Sequence, residues 1–140
     1  MPTAKEVLEK YHQEVWVNRN LDALTELVHP DFADDSQRDP SKSGPENAKG
    51  FFQGLFAAFP DLKSQTLVLI SEGAYACIMW QLTGTYNGQS LWGMPVTGKS
   101  FSVRGTDLLE IKDGKIVRDY GGMAEAFPKI FQQLGLNPQR

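Results

Sequence analysis

Residues 44–62, GPENAKGFFQGLFAAFPDL, hold the densest run of large apolar side chains in the chain, and they predict one helix over 45–59. Pro45 stands at the first helical position, where its missing N–H is harmless, and Glu46 complements the helix dipole. Pro60 restricts the residue before it and ends the helix. The apolar residues recur at helical spacing along one side: Phe51, Phe52, Leu55, Phe56 and Phe59. A stripe of this width needs an apolar partner, and we expect a sheet to cover it.

Length and charge narrow the class of protein. The chain has 140 residues, a size that suggests a single domain over 1–140 with one core. Its 14 Lys and Arg against 17 Asp and Glu give a net charge of −3, which does not favour nucleic acid or an anionic membrane as partner. No leader-like segment or membrane-spanning apolar run is present. We therefore expect a soluble, cytoplasmic protein whose partners are small neutral or weakly polar ligands.

Two amphipathic segments precede the central helix. Residues 3–19 predict a helix opened by a capping box, and residues 21–28 predict a second, shorter one. His12 and His29, the two histidines, have no further ligand at metal-binding spacing, so we expect both at the surface or at element ends and no metal site.

The stretch DDSQRDPSKSG, residues 34–44, is polar and rich in turn residues, which predicts a surface loop or a lid. Its acidic side chains most simply form a solvated rim. Asp35 is the one that we single out as a candidate ligand contact.

From residue 64 onward, β-favouring residues replace the helical period and predict an antiparallel meander. The strands are expected at 64–71, 74–86, 99–111 and 115–120. Asp113-Gly114 predicts a two-residue hairpin loop and so sets a register. In that register Lys112 faces Lys115, Ile111 faces Ile116, Leu109 faces Arg118 and Asp107 faces Tyr120.

Strand alternation then places Asp107 among apolar neighbours. Its predicted face also carries Phe101, Val103, Leu109, Ile111, Ile116 and Tyr120. Burial of a carboxyl raises its pKa toward the range useful for proton transfer, although a buried Asp can equally serve only as a hydrogen-bond partner. Asp119 falls on the polar face unless a bulge shifts the register, which makes it a second candidate. Leu108 and Val117 are apolar exceptions on that polar face.

Several blocks of sequence carry a resemblance over most of the chain. They are FFQGLFAAFPDLK at 51–63, WQLTGTYNG at 80–88, GMPVTGKSFSVRGTDLLEIKDGKIVRDY at 93–120 and QQLGLNP near the C-terminus. In order and spacing these blocks resemble the SnoaL-like polyketide cyclases, within the superfamily named after nuclear transport factor 2. The resemblance implies an α+β cone: a curved antiparallel sheet wrapped over N-terminal helices, with a central apolar pocket, commonly paired into homodimers.

The resemblance also implies a chemistry. The best-understood family members close a polyketide ring by an aldol step without metal or cofactor, using a pocket acid/base. By position this implies Asp107 as acid/base, Tyr86 as a further catalytic candidate and Trp80 as a ligand contact. Beside these we expect Asp119 as a catalytic candidate, from the register, and the ligand contacts Tyr120, Asp35 and Phe56.

Three functions stay open at the level of sequence. The first is a cofactor-independent enzyme that moves a proton alpha to a carbonyl in a small, largely apolar ligand. The second is a binding domain in which Asp107 only anchors a ligand hydroxyl. The third is an interaction module with an incidental cavity. The deciding observation is whether the carboxyl of Asp107 opens into a cavity that a small ligand can reach. If the carboxyl is sealed in packed core, the first function fails.

Overall fold

The computed structural model describes residues 2–34 and 44–136. Its helices are α1 (Ala4–Tyr11), α2 (Leu24–Leu27), α3 (Gly44–Ala58) and α4 (Gly122–Leu134), and its strands are β1 (Val28–Asp34), β2 (Lys63–Glu72), β3 (Tyr75–Thr85), β4 (Ser100–Lys112) and β5 (Lys115–Asp119). A π-helical turn, His12–Val17, continues α1, and a 3₁₀ turn, Leu21–Ala23, leads into α2. The predicted central helix and the four predicted strands are all present, within one to two residues at most ends.

Local signals explain where helices begin. Thr3 accepts from the backbone N–H of Glu6 at 3.1 Å, and Glu6 accepts from the backbone N–H of Thr3 at 3.0 Å, so the predicted capping box is confirmed. At the start of α3, Gly44 has φ 78° and lies so near β1 that a Cβ would be 2.9 Å from the carbonyl oxygen of Pro30. Only glycine can adopt this positive φ and also lie this close to Pro30 without strain.

The five strands form one mixed sheet in the order β1-β5-β4-β3-β2. Strands β2 to β5 make the predicted antiparallel meander. The expectation of a wholly antiparallel sheet is wrong at one edge, because β1 pairs in parallel with β5, with Val28 beside Ile116. The sequence does not signal β1 as a strand, because Pro30 has no backbone N–H to donate to a neighbouring strand. Proline is tolerated at this position because β1 is an edge strand. The α+β class is confirmed.

The hairpin register holds for its first pairs and then shifts. Lys112 pairs with Lys115 and Ile111 with Ile116 as predicted, but the next pairs are Glu110 with Arg118 and Leu109 with Asp119. The predicted pairs Leu109–Arg118 and Asp107–Tyr120 are therefore wrong. Val117 is an extra residue on β5, a bulge that moves every later side chain to the opposite face.

The core lies between the helices and the inner face of the sheet. α4 packs on β4, α3 on β1, and α1 reaches β2, β3 and β4. Phe52, Leu55 and Phe59 of the phenylalanine stripe are buried, and Trp16 meets Phe52 edge to face at 5.0 Å. The prediction that the central helix packs against the sheet is confirmed. No helix within residues 2–34 and 44–136 is long and apolar enough to cross a membrane.

Candidate functional site

Asp107 lies on the inner face of β4, beside Ile78 of β3. The indole Nε1–H of Trp80 donates to its Oδ2 at 2.9 Å, and the backbone N–H of Gly122 donates to its Oδ1 at 2.8 Å. Gly122 is the first residue of α4, so the carboxyl also accepts one of the N–H groups that a helix start leaves unpaired. Both carboxyl oxygens are thus held in place.

Two glycines make room for this arrangement. A Cβ on Gly105 would lie 2.3 Å from Cη2 of Trp80, and a Cβ on Gly122 would lie 2.3 Å from Oδ1 of Asp107. Gly105 therefore lets the indole lie across β4, and Gly122 lets the backbone approach the carboxyl. Sequence analysis did not single out either residue. A glycine in mid-strand and a Gly-Gly pair after a strand are the signals of close approach that could have found them.

Asp119 joins Asp107 because of the bulge. The two carboxyl groups hydrogen-bond each other, and the backbone N–H of Gly121 donates to Oδ1 of Asp119 at 2.9 Å. Two carboxyl groups can share a hydrogen bond only if one of them carries a proton. Burial raises the pKa of Asp107, against the opposing effect of its hydrogen bonds to Asp119, Trp80 and Gly122. Asp107 therefore keeps its proton to a higher pH than a solvated carboxyl would.

The carboxyl of Asp107 opens into a small cavity of about 10 Å³ between α1 and the sheet. Its polar lining consists of Tyr11, His12, Ser64, Trp80 and Asp107, and Trp16 and aliphatic side chains form the rest. A volume of this size corresponds to roughly one water molecule. A larger ligand must therefore displace side chains, and Tyr11, His12 and Trp16 on the first helix are only half-buried.

A second cavity of about 10 Å³ lies next to the first, towards α3 and β1. Phe32, Phe51 and Phe52 line it, and its described lining includes no charged side chain. Tyr11 and Leu109 line both cavities and form the partition between them. The interior thus has one chamber that contains Asp107 and a second chamber, lined by phenylalanines, beyond Tyr11.

His12 is a site residue that sequence analysis missed. It lies at the end of α1, one of the two expected placements, but it is half-buried on the wall of the cavity that contains Asp107. Its Nε2 is 3.0 Å from Oγ of Ser64 and its Nδ1 is 3.4 Å from Oγ1 of Thr66. Burial lowers the pKa of the His12 imidazole. The available signal was its spacing four residues after the buried Leu8, on the core side of the helix.

Tyr86 is buried but serves the loop that follows β3. Its hydroxyl donates to the carbonyl oxygen of Met94 at 2.6 Å and accepts from the backbone N–H of Leu91 at 2.8 Å. Its ring packs on Phe59 at 5.4 Å. The structure does not place Tyr86 on the wall of the cavity that contains Asp107.

The other predicted contacts lie apart from Asp107. The bulge turns Tyr120 to the outer face, where its hydroxyl donates to Oε1 of Glu110 at 3.0 Å. Phe56 stacks on Phe52 at 6.0 Å and lies under the guanidinium of Arg19 at 4.6 Å. Asp35 lies outside the described residues. Of the predicted site residues, the structure brings together Asp107, Trp80 and Asp119.

Comparison with known proteins places this geometry in a family. Three solved structures share the fold: a candidate SnoaL-like polyketide cyclase from Jannaschia sp. CCS1 (22% identity, TM-score 0.80, 96% of this chain and 93% of that one), TsrD from Streptomyces laurentii (20%, 0.78, 98% and 99%) and AclR, a candidate hydroxylase from Streptomyces galilaeus (22%, 0.74, 98% and 83%). No curated protein matches the chain significantly. The family model of the SnoaL-like polyketide cyclases matches residues 6–122. The chain belongs to the SnoaL-like polyketide cyclase family.

Proposed function

We propose that the protein is a cofactor-independent enzyme of the cyclase or isomerase type, in which Asp107 moves a proton alpha to the carbonyl of a small apolar ligand. One observation carries the proposal: the carboxyl of Asp107 lines a cavity in which burial raises its pKa. General acid–base catalysis is most effective when the pKa of the group lies near the working pH.

In the proposed step the carboxylate of Asp107 takes a proton from the carbon next to the carbonyl. The C–H bond breaks, its electron pair moves toward the carbonyl oxygen, and an O–H bond forms on Asp107. The donors Trp80 and Gly122 fix the carboxyl before the ligand enters, which spares the cost of orienting it during the reaction. Asp119 holds a second carboxyl against the first, so the pair can take up and return a proton locally.

The two cavities suggest the shape of the ligand. Its carbonyl belongs in the chamber that contains Asp107, and its apolar body belongs in the chamber lined by Phe32, Phe51 and Phe52. Tyr11 has to swing aside for one molecule to occupy both, which its half-buried position on α1 allows. A flat, mostly apolar ring compound with a carbonyl at one end fits this description.

The proposal can be tested before the natural substrate is known. A panel of cyclic 1,3-dicarbonyl and polyketide-like compounds is incubated with the protein in deuterated buffer, and exchange of the protons alpha to the carbonyl is followed by NMR. Wild-type protein is expected to accelerate the exchange for at least one compound, and Asp107→Asn is expected to lose the acceleration. Acceleration that persists in the variant removes Asp107 from the mechanism.

A non-catalytic binding domain is the second candidate, and one observation favours it. Both oxygens of Asp107 already accept hydrogen bonds, one of them from the first residue of α4, so the carboxyl has a structural role as a helix cap. In that case Asp107 anchors a ligand hydroxyl without taking its proton. Saturable binding of a panel compound without any proton exchange would favour this candidate.

We also propose that the protein forms a homodimer through the outer face of the sheet. Ile70, Cys77 and Leu108 lie side by side on β2, β3 and β4, and Tyr120, just after β5, lies beside Leu108. Ile70 pairs with Cys77, Cys77 with Leu108, and the N–H of Tyr120 bonds the carbonyl oxygen of Leu108. Ile70 is 63% exposed and Leu108 is 41% exposed. A second copy of the chain offers the same apolar row, and a twofold interface covers both at once.

A further inference from the structure

A chain of hydrogen bonds runs from the surface to the cavity that contains Asp107. Thr66 and Ser64 are two positions apart on β2 and point to the inner face, beside Trp80 and Leu82. Thr66 is exposed, whereas Ser64 is buried and lines the cavity. His12 bridges the two hydroxyls, through Nδ1 to Thr66 at 3.4 Å and through Nε2 to Ser64 at 3.0 Å.

The direction of these hydrogen bonds decides whether Ser64 presents a donor or an acceptor to the cavity. A neutral imidazole has one N–H donor and one acceptor nitrogen, and burial favours the neutral form of His12 by lowering its pKa. The exposed hydroxyl of Thr66 can donate to Nδ1, which leaves the proton on Nε2, and Nε2–H then donates to Oγ of Ser64. With its oxygen occupied as an acceptor, Ser64 has its own hydroxyl proton free to point into the cavity.

We propose that Ser64 is the hydrogen-bond donor to the ligand's carbonyl oxygen, on the wall that faces Asp107, and that His12 is the positioning residue that directs it. This deepens the proposed function and rests on it. When Asp107 takes the proton from carbon, negative charge develops on the carbonyl oxygen, and a donor already aimed at that oxygen stabilises it. Bonds aligned in one direction along the chain strengthen the terminal donor.

The charged and titratable groups on this cavity wall support the assignment. Asp107 from β4, Tyr11 from α1 and His12 from the π-helical turn after α1 line the cavity. None of these offers a fixed cation for the ligand oxygen, since His12 is held neutral by burial. Ser64 therefore supplies the hydrogen-bond donor for the ligand oxygen, and His12 aligns it.

Ligand binding tests the donor with a matched pair of probes. 2-Naphthol presents an oxygen to the cavity, and 2-methylnaphthalene has nearly the same shape without one. Ser64→Ala is expected to weaken 2-naphthol binding about tenfold or more, the scale of one hydrogen bond to a charged or strongly polar oxygen, and to leave 2-methylnaphthalene binding unchanged. Ser71→Ala, an exposed serine on the same strand, is the control and should change neither.

The positioning role of His12 has its own readouts. His12→Phe should lower the ratio of 2-naphthol to 2-methylnaphthalene affinity as Ser64→Ala does, and His12→Gln, whose amide N–H replaces Nε2–H, should restore part of it. Nitrogen-15 NMR of the two imidazoles, assigned with His12→Gln, should show His12 as the Nε2–H tautomer at neutral pH. A change in packing alone would weaken both probes equally.

Several results would overturn the inference. An Nδ1–H tautomer of His12 would reverse the direction of the hydrogen bonds from Thr66 to Ser64. A wild-type protein that binds 2-naphthol no better than 2-methylnaphthalene, or that binds neither probe, would show that Ser64 presents no hydrogen-bond donor to the cavity. Failure of the proposed function looks different. In that case Asp107→Asn has no effect on proton exchange, while the probe ratios and the tautomer of His12 remain as expected.

Discussion

The indole N–H of Trp80 donates to Oδ2 of Asp107 at 2.9 Å, across two neighbouring strands and 27 positions of sequence. The contact exists because Gly105 leaves the surface of β4 bare beneath the indole ring. This hydrogen bond links Asp107, the proposed acid/base, to Trp80 on the cavity wall. It therefore couples the packing of the sheet to the orientation of the Asp107 carboxyl.

Asp107→Asn should lower the rate of alpha-proton exchange by about a hundredfold or more, the usual scale of general acid–base catalysis. Asparagine keeps the size of the side chain but has no titratable proton, and its single amide oxygen can accept from Trp80 or from Gly122 but not from both. Asp113→Asn, in the exposed hairpin loop, is the matched control, since Asn-Gly favours the same turn as Asp-Gly. An unchanged exchange rate together with a melting temperature several degrees lower would indicate a purely structural Asp107, because losing a buried hydrogen-bond partner costs about 1–3 kcal/mol.

Stability should fall with rising pH in a way that depends on Asp107. Burial raises the pKa of its carboxyl from the ordinary 3.8, so between the unfolded and folded values the folded state binds more protons than the unfolded state. The free energy of unfolding contributed by this group is therefore largest below the unfolded pKa and declines as pH rises through the folded pKa. Urea unfolding of wild type and Asp107→Asn is measured at a series of pH values above 4. The free energy of unfolding of the wild type should fall relative to that of the variant as the pH rises. A difference that stays constant over the series would contradict the raised pKa.

Gly105→Ala should destabilise the protein by about 1–3 kcal/mol, because its Cβ would lie 2.3 Å from the ring of Trp80 and force the indole to move. Chemical unfolding followed by tryptophan fluorescence measures the loss. Gly50→Ala provides the control: no atom lies within 4 Å of the added Cβ, and the position is an exposed one in α3. That change should stabilise by about 0.5–1 kcal/mol. Equal effects of the two substitutions would show that the indole is not fixed against Gly105.

Sedimentation velocity at micromolar concentration should show a dimer. Ile70→Lys places a charge in the middle of the exposed apolar row and should shift the protein to monomer without lowering its melting temperature. Gln65→Lys, an exposed position on the same strand away from that row, should leave the dimer intact. A monomeric wild type would show that a second copy does not cover this face.

Part of the fold follows from local sequence alone. The phenylalanine stripe predicts α3, because helical spacing gathers its rings on one side whatever the rest of the chain does. The hairpin follows from Asp113 and Gly114, which adopt φ 55° and 75°, a conformation that these two residue types tolerate. Strand alternation likewise placed Asp107 on the inner face correctly, since the bulge lies beyond it on another strand.

Tertiary structure alone decided which side chains join Asp107. The bulge at Val117 brings Asp119 to the inner face and sends Tyr120 outside, and a single extra residue has this effect because side chains alternate with a period of two. The edge position of β1 and the bridge that His12 makes to Ser64 likewise depend on segments far apart in sequence. Local patterns predict elements and faces because the forces behind them act between near neighbours. The site depends on register, close approach at glycine and burial, which exist only once the strands and helices have packed together.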